Sequence, residues 1–255
     1  MKSHQNVFIS IMRQLAERGH RITYISNIRV AELNDHPRIR QVILDGIFIS
    51  DITFDFFDWV FDRKNKLMMM LDIRDKMATF PSKVAKIVYA NPEVQDLISN
   101  NRYDLVFVSQ FFGLISYPLV WHFNAKLIIV SPNSLLPGLA GILGDSDHPE
   151  YVPYVYGWFP DRMNFVQRTL NTMALSSHAS GWIDWHLSPV RKIARQVLPD
   201  CAPLDEIEKN FTSLVFVNSH PVFNYPRALP LQVIEVAGTH CRPAKALPNV
   251  LNVFR

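Results

Sequence analysis

Cysteine is nearly missing from this chain: only Cys201 and Cys241 occur in 255 residues. There is no CxxC and no close pair of thiols, which excludes a cysteine zinc site and a disulfide scaffold. One bridge between the two thiols is neither required nor forbidden by their spacing. A clustered basic excess is missing too. The 26 basic and 23 acidic residues leave a net charge of +3 without a Lys/Arg run, which sets nucleic-acid binding aside. No GxGxxG follows a candidate strand, so a dinucleotide-binding reading has little support. No internal repeat or low-complexity tract is present.

Long apolar runs are also lacking. A membrane span needs roughly 20 predominantly apolar residues. Between Leu105 and Gly144 only Lys126 carries a formal charge, but Pro118, Asn124, Pro132, Asn133 and Pro137 interrupt the run. Buried strands and a buried helix fit it better. No signal peptide is visible, because Arg13, Glu17 and Arg18 break the first apolar helix.

What is present is hydrophobic patterning, with 48% apolar residues. Ser3 is a candidate N-cap. Val7, Phe8, Ile11, Met12 and Leu15 fall on one helical face, and Gly19 is a natural stop. Strands are expected at 21–26, 41–50, 103–109, 125–131, 212–219 and 231–237. Helices are expected across parts of 54–100, at 113–123 and across 160–197, with a long loop over 138–160. The Met-rich stretch "KLMMMLDIRDKM" (66–77) reads as a helix, either an adaptable apolar surface or irregular core filling.

Near-continuous apolar strands alternating with helices indicate an α/β fold, a doubly wound parallel sheet covered on both faces. Ligands of such sheets sit beyond the carboxyl ends of the strands. The exits to watch are therefore Ser26-Asn27, Ser109-Gln110, Ser131-Pro132-Asn133 and Ser219-His220. Asp145, Asp147 and His148 are too loosely spaced to suggest a metal. Asn210-Phe211-Thr212 is an N-glycosylation sequon. His4, at the head of the first helix, is either a general base or an ordinary polar residue near a terminus.

Several segments, in order, resemble the N-terminal half of the UDP-glycosyltransferases of animals and insects. "KSHQNVFISIMRQLAERGHRITYIS" resembles their opening, a Ser-His pair leading a helix that ends in Arg-Gly-His before a strand. "YDLVFVSQFF", "HPEYVPYV" and "DRMNFVQRTLN" resemble their next strand, loop and helix. "SLVFVNSHPVFNYPRALPLQVIEVAGTHCRPAKALP" resembles the stretch closing their first domain. The resemblance implies one Rossmann-like half of a two-domain GT-B fold. Residues 1–237 would be the acceptor-binding domain and 238–255 a linker toward a UDP-sugar-binding domain outside this sequence. The family's first strand would precede Ser3-His4 and lie inside the sheet. Its neighbours would otherwise present unpaired backbone edges, and a chain without it is expected to be poorly stable alone.

The resemblance also implies chemistry. His4 would be the base that activates an acceptor hydroxyl for inverting attack on the sugar. Its acidic orienting partner would stand where this chain has Ser109. Asp104, at the other end of that strand, lies about five residues or roughly 16 Å away and cannot substitute. Phe111, Phe112, Met68, Met69 and Tyr154 are candidates for contacting a small lipophilic acceptor, or ordinary core. No metal and no cofactor are expected in this domain. UDP-sugar, a co-substrate, is expected to bind only with the second domain. Association with the endoplasmic-reticulum membrane on its lumenal side, and homo- or hetero-oligomers, belong to the same implied picture. The rival reading is a non-catalytic module that binds a lipophile or a protein partner.

Overall fold

The computed structural model describes residues 2–47, 79–154, 159–224 and 227–241. Met68 and Met69 lie outside these residues, as does the whole 66–77 stretch. Helix α1 spans Lys2–Glu17, so Ser3 sits within its first turn rather than capping it. The helix ends where expected, at Gly19, whose φ of +98° favours a residue without Cβ. Strand β1 (Ile22–Ser26) follows, and β2 (Ile39–Ile43) pairs with it in parallel.

A helix over 79–90, called α2, leads to α3 (Pro92–Asn100). Asn91 caps α3, its Oδ1 accepting from Glu93 N at 2.9 Å and Val94 N at 3.2 Å. Strand β3 (Leu105–Ser109), α4 (Tyr117–Phe123) and β4 (Lys126–Ser131) come next. Pro118 is tolerated because it falls in the first turn of α4, where its missing N–H costs nothing. A short helix, α5 (Leu139–Ile142), interrupts the loop expected over 138–160. The second helical zone is one 30-residue helix, α6 (Phe165–Ala194), opened by an Asn164–Gln167 capping box. Helix α7 (Leu204–Phe211) was not anticipated, although Leu204 and Ile207 bury one face and Asp205 and Glu206 occupy its first turn. Strands β5 (Thr212–Val217) and β6 (Val233–Glu235) complete the set.

All pairings are parallel, and the fold is α/β as expected. The strands do not form one sheet, however. β1 pairs with β2, and β3-β4-β5-β6 form a separate four-stranded sheet. β4 lies between β3 and β5, and five of its six residues are buried. One of its faces, Leu127 and Ile129, packs with Val215 and Val217 against Val120 of α4 and Ile207 of α7. The opposite face, Ile128 and Val130, packs against Val7 of α1. Ile9, Met12 and Ala16 of α1 instead pack with Leu33 and Ile39 beside the two-stranded sheet. Helix α1 therefore bridges the two sheets.

The break lies between β1 and β3. Every residue of β1 is only half-buried, in contrast to β4. Of the apolar face expected to bury α1, Val7 and Met12 are buried while Phe8, Ile11 and Leu15 are half-exposed. No described helix is long and apolar enough to cross a membrane.

Candidate functional site

A cleft of about 2280 Å³ opens at the carboxyl ends of β1, β3 and β4 and runs down between the two sheets. Sites for small ligands usually measure about 300–1000 Å³. This cleft is too large to be one such site and divides naturally into a mouth and a trough.

The mouth gathers residues from five segments. His4 sits on the first turns of α1, half-buried. Its position is fixed by its neighbour Gln5, which is 8% exposed and donates from Nε2 to Ile28 O at 2.8 Å. That bond ties the start of α1 to the exit of β1. The His4 imidazole meets Phe111 edge-on, with ring centroids 5.1 Å apart. Burial lowers the pKa of His4, and the positive charge of the chain terminus lowers it further. The neutral ring, which can take a proton, is thereby favoured.

Ser109 ends β3 and lines the same cleft. Its hydroxyl has no hydrogen bond among the described residues. Next to it, Gln110 donates its backbone N–H to Val130 O at 2.9 Å, while its Oε1 is buried with no partner among the described residues. Phe112 turns the chain at a left-handed φ of +60°, an unusual conformation for a bulky residue. Its ring packs on Phe80, with centroids 4.8 Å apart. The turn is tight enough that a Cβ on the buried Gly113 would come within 3.1 Å of Val108 Cγ2.

Tyr154 lines the mouth from the loop before α6. The residue that positions it is Asn171, which is fully buried within α6. Asn171 Oδ1 accepts from Tyr154 N at 2.7 Å, and its Nδ2 donates to Pro149 O and Val152 O, both at 2.8 Å. Asn171 was not singled out from the sequence. The available signal was an Asn, a weak helix former, inside an otherwise helical run.

The structure thus brings His4, Ser109, Phe111, Phe112 and Tyr154 to one cleft. Asp104 lines it too, but from the amino end of β3. Of the four polar strand exits, Ser26-Asn27, Ser109 and Asn133 border this cleft. Ser219 does not. It donates to Glu235 at 2.6 Å beside a separate cavity of about 240 Å³, which Asp147 and Arg227 also line.

Asp145, Asp147 and His148 are engaged in holding their loop. Asp147 Oδ2 accepts from Gly138 N at 2.8 Å, Asp145 Oδ1 accepts from Ser146 N at 2.8 Å, and His148 pairs with Glu150 at 3.2 Å. No cluster of three metal-ligating side chains occurs among the described residues. Cys201 is buried and Cys241 exposed, and both are free thiols.

Residues 2–255 match the sequence profile of the family described as UDP-glucoronosyl and UDP-glucosyl transferase. The chain is 25% identical over 274 residues to UDP-glucosyltransferase 2 of Dactylopius coccus, covering 99% of this chain and 48% of that protein. It is 24% identical over 268 residues to UDP-glucuronosyltransferase 2B9 of Macaca fascicularis, covering 99% and 50%. Against UDP-glucuronosyltransferase 2B28 of Homo sapiens the figures are 23% over 277 residues, 99% and 50%. The chain spans about half the length of the curated relatives it matches. No solved structure gives a significant match. With a profile match running through the helix of His4, the strand of Ser109 and the helix of Asn171, this chain belongs to the UDP-glycosyltransferase family.

Proposed function

We propose that this chain is the acceptor-binding half of a UDP-glycosyltransferase, with the mouth of the cleft as the acceptor site. The observation that carries the reading is the meeting of His4 with Phe111, beside Ser109, at the carboxyl ends of parallel strands. A phenol or lipophilic alcohol would rest its apolar body on Phe111, Phe112 and Tyr154 and turn its hydroxyl toward His4.

In the reaction the imidazole takes the hydroxyl proton as the acceptor oxygen bonds to the anomeric carbon. The bond from that carbon to the UDP oxygen breaks, UDP leaves with the electron pair, and configuration inverts. The sugar transferred is a hexose or glucuronic acid. His4 suits the role because its lowered pKa keeps the ring neutral near pH 7. UDP-sugar is a co-substrate held mainly by a second domain outside these 255 residues, so the chain alone is inactive in transfer. A lumenal position at the endoplasmic-reticulum membrane follows from the same reading.

A second reading, a non-catalytic lipophile-binding or partner-binding module, is favoured by one observation. Position 109 holds Ser, which can hydrogen-bond an imidazole but cannot offset the charge that forms on it. Titration of the chain with 4-methylumbelliferone, followed by fluorescence, tests the acceptor site. Saturable binding that weakens in Phe111→Ala, together with no measurable affinity for UDP, supports the first reading. Absence of phenol binding, or tight UDP binding, overturns it.

A further inference from the structure

The sequence holds a single Asn-X-Ser/Thr triplet, Asn210-Phe211-Thr212, and the fold gives its members different surroundings. Asn210 is the next-to-last residue of α7. It is exposed, and its side-chain amide makes no hydrogen bond among the described residues. Leu204 and Ile207 turn inward, while Asp205, Glu206 and Lys209 are exposed like Asn210, which places the amide on the solvent side of the helix. A bulky polar group attached there meets water, displaces no packed atom and breaks no bond.

Asn210 also stands far from the cleft. β5 begins at Thr212, so Asn210 lies at the amino edge of the four-stranded sheet, whereas the cleft opens at the carboxyl edge. The length of β5, about 20 Å, separates the two edges. A group on Asn210 therefore leaves the mouth open. The rest of the triplet is engaged in the fold. Thr212 Oγ1 donates to Glu208 O, and Thr212 sits opposite Leu127 of β4. The Phe211 ring meets that of Trp121 edge-on, with centroids 5.9 Å apart. Both Phe211 and Thr212 are half-buried. An enzyme that modifies the triplet must hold its asparagine and threonine together, with the threonine hydroxyl free to bond. The junction of helix and strand denies that in the folded chain, and nothing denies it before the chain folds.

We propose that Asn210 is a site of N-linked glycosylation, filled as the chain enters the lumen of the endoplasmic reticulum and before α7 and β5 form. The proposal rests on the lumenal position in the reading above and is independent of what the mouth binds. The co-substrate is an oligosaccharide carried on a lipid pyrophosphate. Nδ2 of Asn210 bonds to its anomeric carbon, the bond from that carbon to the pyrophosphate oxygen breaks, and the oxygen leaves with the electron pair. The proton lost by the amide balances the charge on the departing pyrophosphate. Folding then draws Thr212 into β5 and leaves the glycan on the solvent side of α7.

The test translates the 255-residue chain, preceded by a cleavable signal peptide, in the presence of microsomes. Peptide-N-glycosidase F, which turns a glycosylated Asn into Asp, reports the site by mass spectrometry. One glycan is expected, on Asn210. Asn210→Gln and Thr212→Ala should each abolish it, and Thr212→Ser should retain part of it. The order of events is tested on the purified, unglycosylated folded chain and on a peptide of residues 208–214, each offered to detergent-solubilised microsomes with lipid-linked oligosaccharide. The peptide is expected to be modified at least about tenfold faster, since the folded chain frees the triplet only when it opens locally. A chain that is protected from added protease inside the microsomes yet carries no glycan overturns the site, and so does a glycan that survives Asn210→Gln. Equal rates for folded chain and peptide overturn the order. The added signal places the chain in the lumen whatever its natural address, so a missing glycan counts against Asn210 and not against the lumenal reading.

Discussion

Replacing Asn171 separates positioning by hydrogen bonds from simple filling of space. Its carboxamide accepts one backbone N–H and donates to two backbone carbonyls, and the residue is fully buried. Asn171→Ala leaves Tyr154 N, Pro149 O and Val152 O without that partner. Each buried group left so costs about 1–3 kcal/mol, less where water reaches the loop. A total loss near 3 kcal/mol is expected, a large share of a typical stability of about 5–15 kcal/mol. Asn171→Asp is nearly isosteric but turns an oxygen toward the two carbonyls and buries a charge. It is expected to cost about 3–5 kcal/mol, more than Ala. Protonation would restore one donor, so the excess cost of Asp should shrink as pH falls. Urea denaturation from pH 4 to 8 measures both variants, and proteolysis within 149–154 reports release of the loop. An Asp variant as stable as the parent at pH 8, or an Ala variant losing under about 0.5 kcal/mol, would refute the clamp.

Ile129, 1% exposed on the central strand, should lose about 2–5 kcal/mol in Ile129→Ala by urea denaturation; a loss below about 1 kcal/mol would contradict its place in the core. Burial raises the pKa of Glu208, beside Tyr117, to about 6, despite the hydrogen bond from Tyr117 that favours its charged form. The folded chain then binds more protons than the unfolded one between about pH 4.5 and 6, so stability falls by about 1–2 kcal/mol as pH rises through that window. Glu208→Gln should remove this slope in a pH series of melts. His4 has the opposite sign: its pKa is lowered from 6.5, so its contribution is intact above pH 6.5 and declines as pH falls below it, a trend that His4→Gln should flatten. Ser109→Asp should raise the His4 pKa, read by NMR of the imidazole protons. In a chain joined to a relative's donor domain it should also raise turnover, by up to about 10⁴, the size of the loss when a histidine base of a serine-protease triad is deprived of its orienting carboxylate. No change in either readout would remove Ser109 from the site.

Much of the local structure was legible because it follows from short-range rules. The alternation of apolar strands with helices predicted a parallel α/β fold, and Gly19 marked the end of α1. The strands at 22–26, 105–109, 126–131 and 212–217 lie within one to two residues of expectation at most ends. β6 is shorter than the expected 231–237, only Val233–Glu235. Helix α7 escaped notice because eight residues carry only two turns of periodicity. His4, Ser109, Phe111, Phe112 and Tyr154 were candidates by resemblance and meet at one cleft, whereas Met68 and Met69 lie outside the described residues.

Sequence alone determined most of the strands and the longer helices, since these depend on neighbours a few residues apart, but not α7, the short α5 or the bounds of β2. Only tertiary structure decided that β1 and β3 face each other across an open trough, that Gln5 anchors the helix of His4, and that Asn171 holds the loop of Tyr154. Those facts join residues 17 to 80 positions apart, and no periodicity or spacing in a linear chain encodes which distant groups will meet.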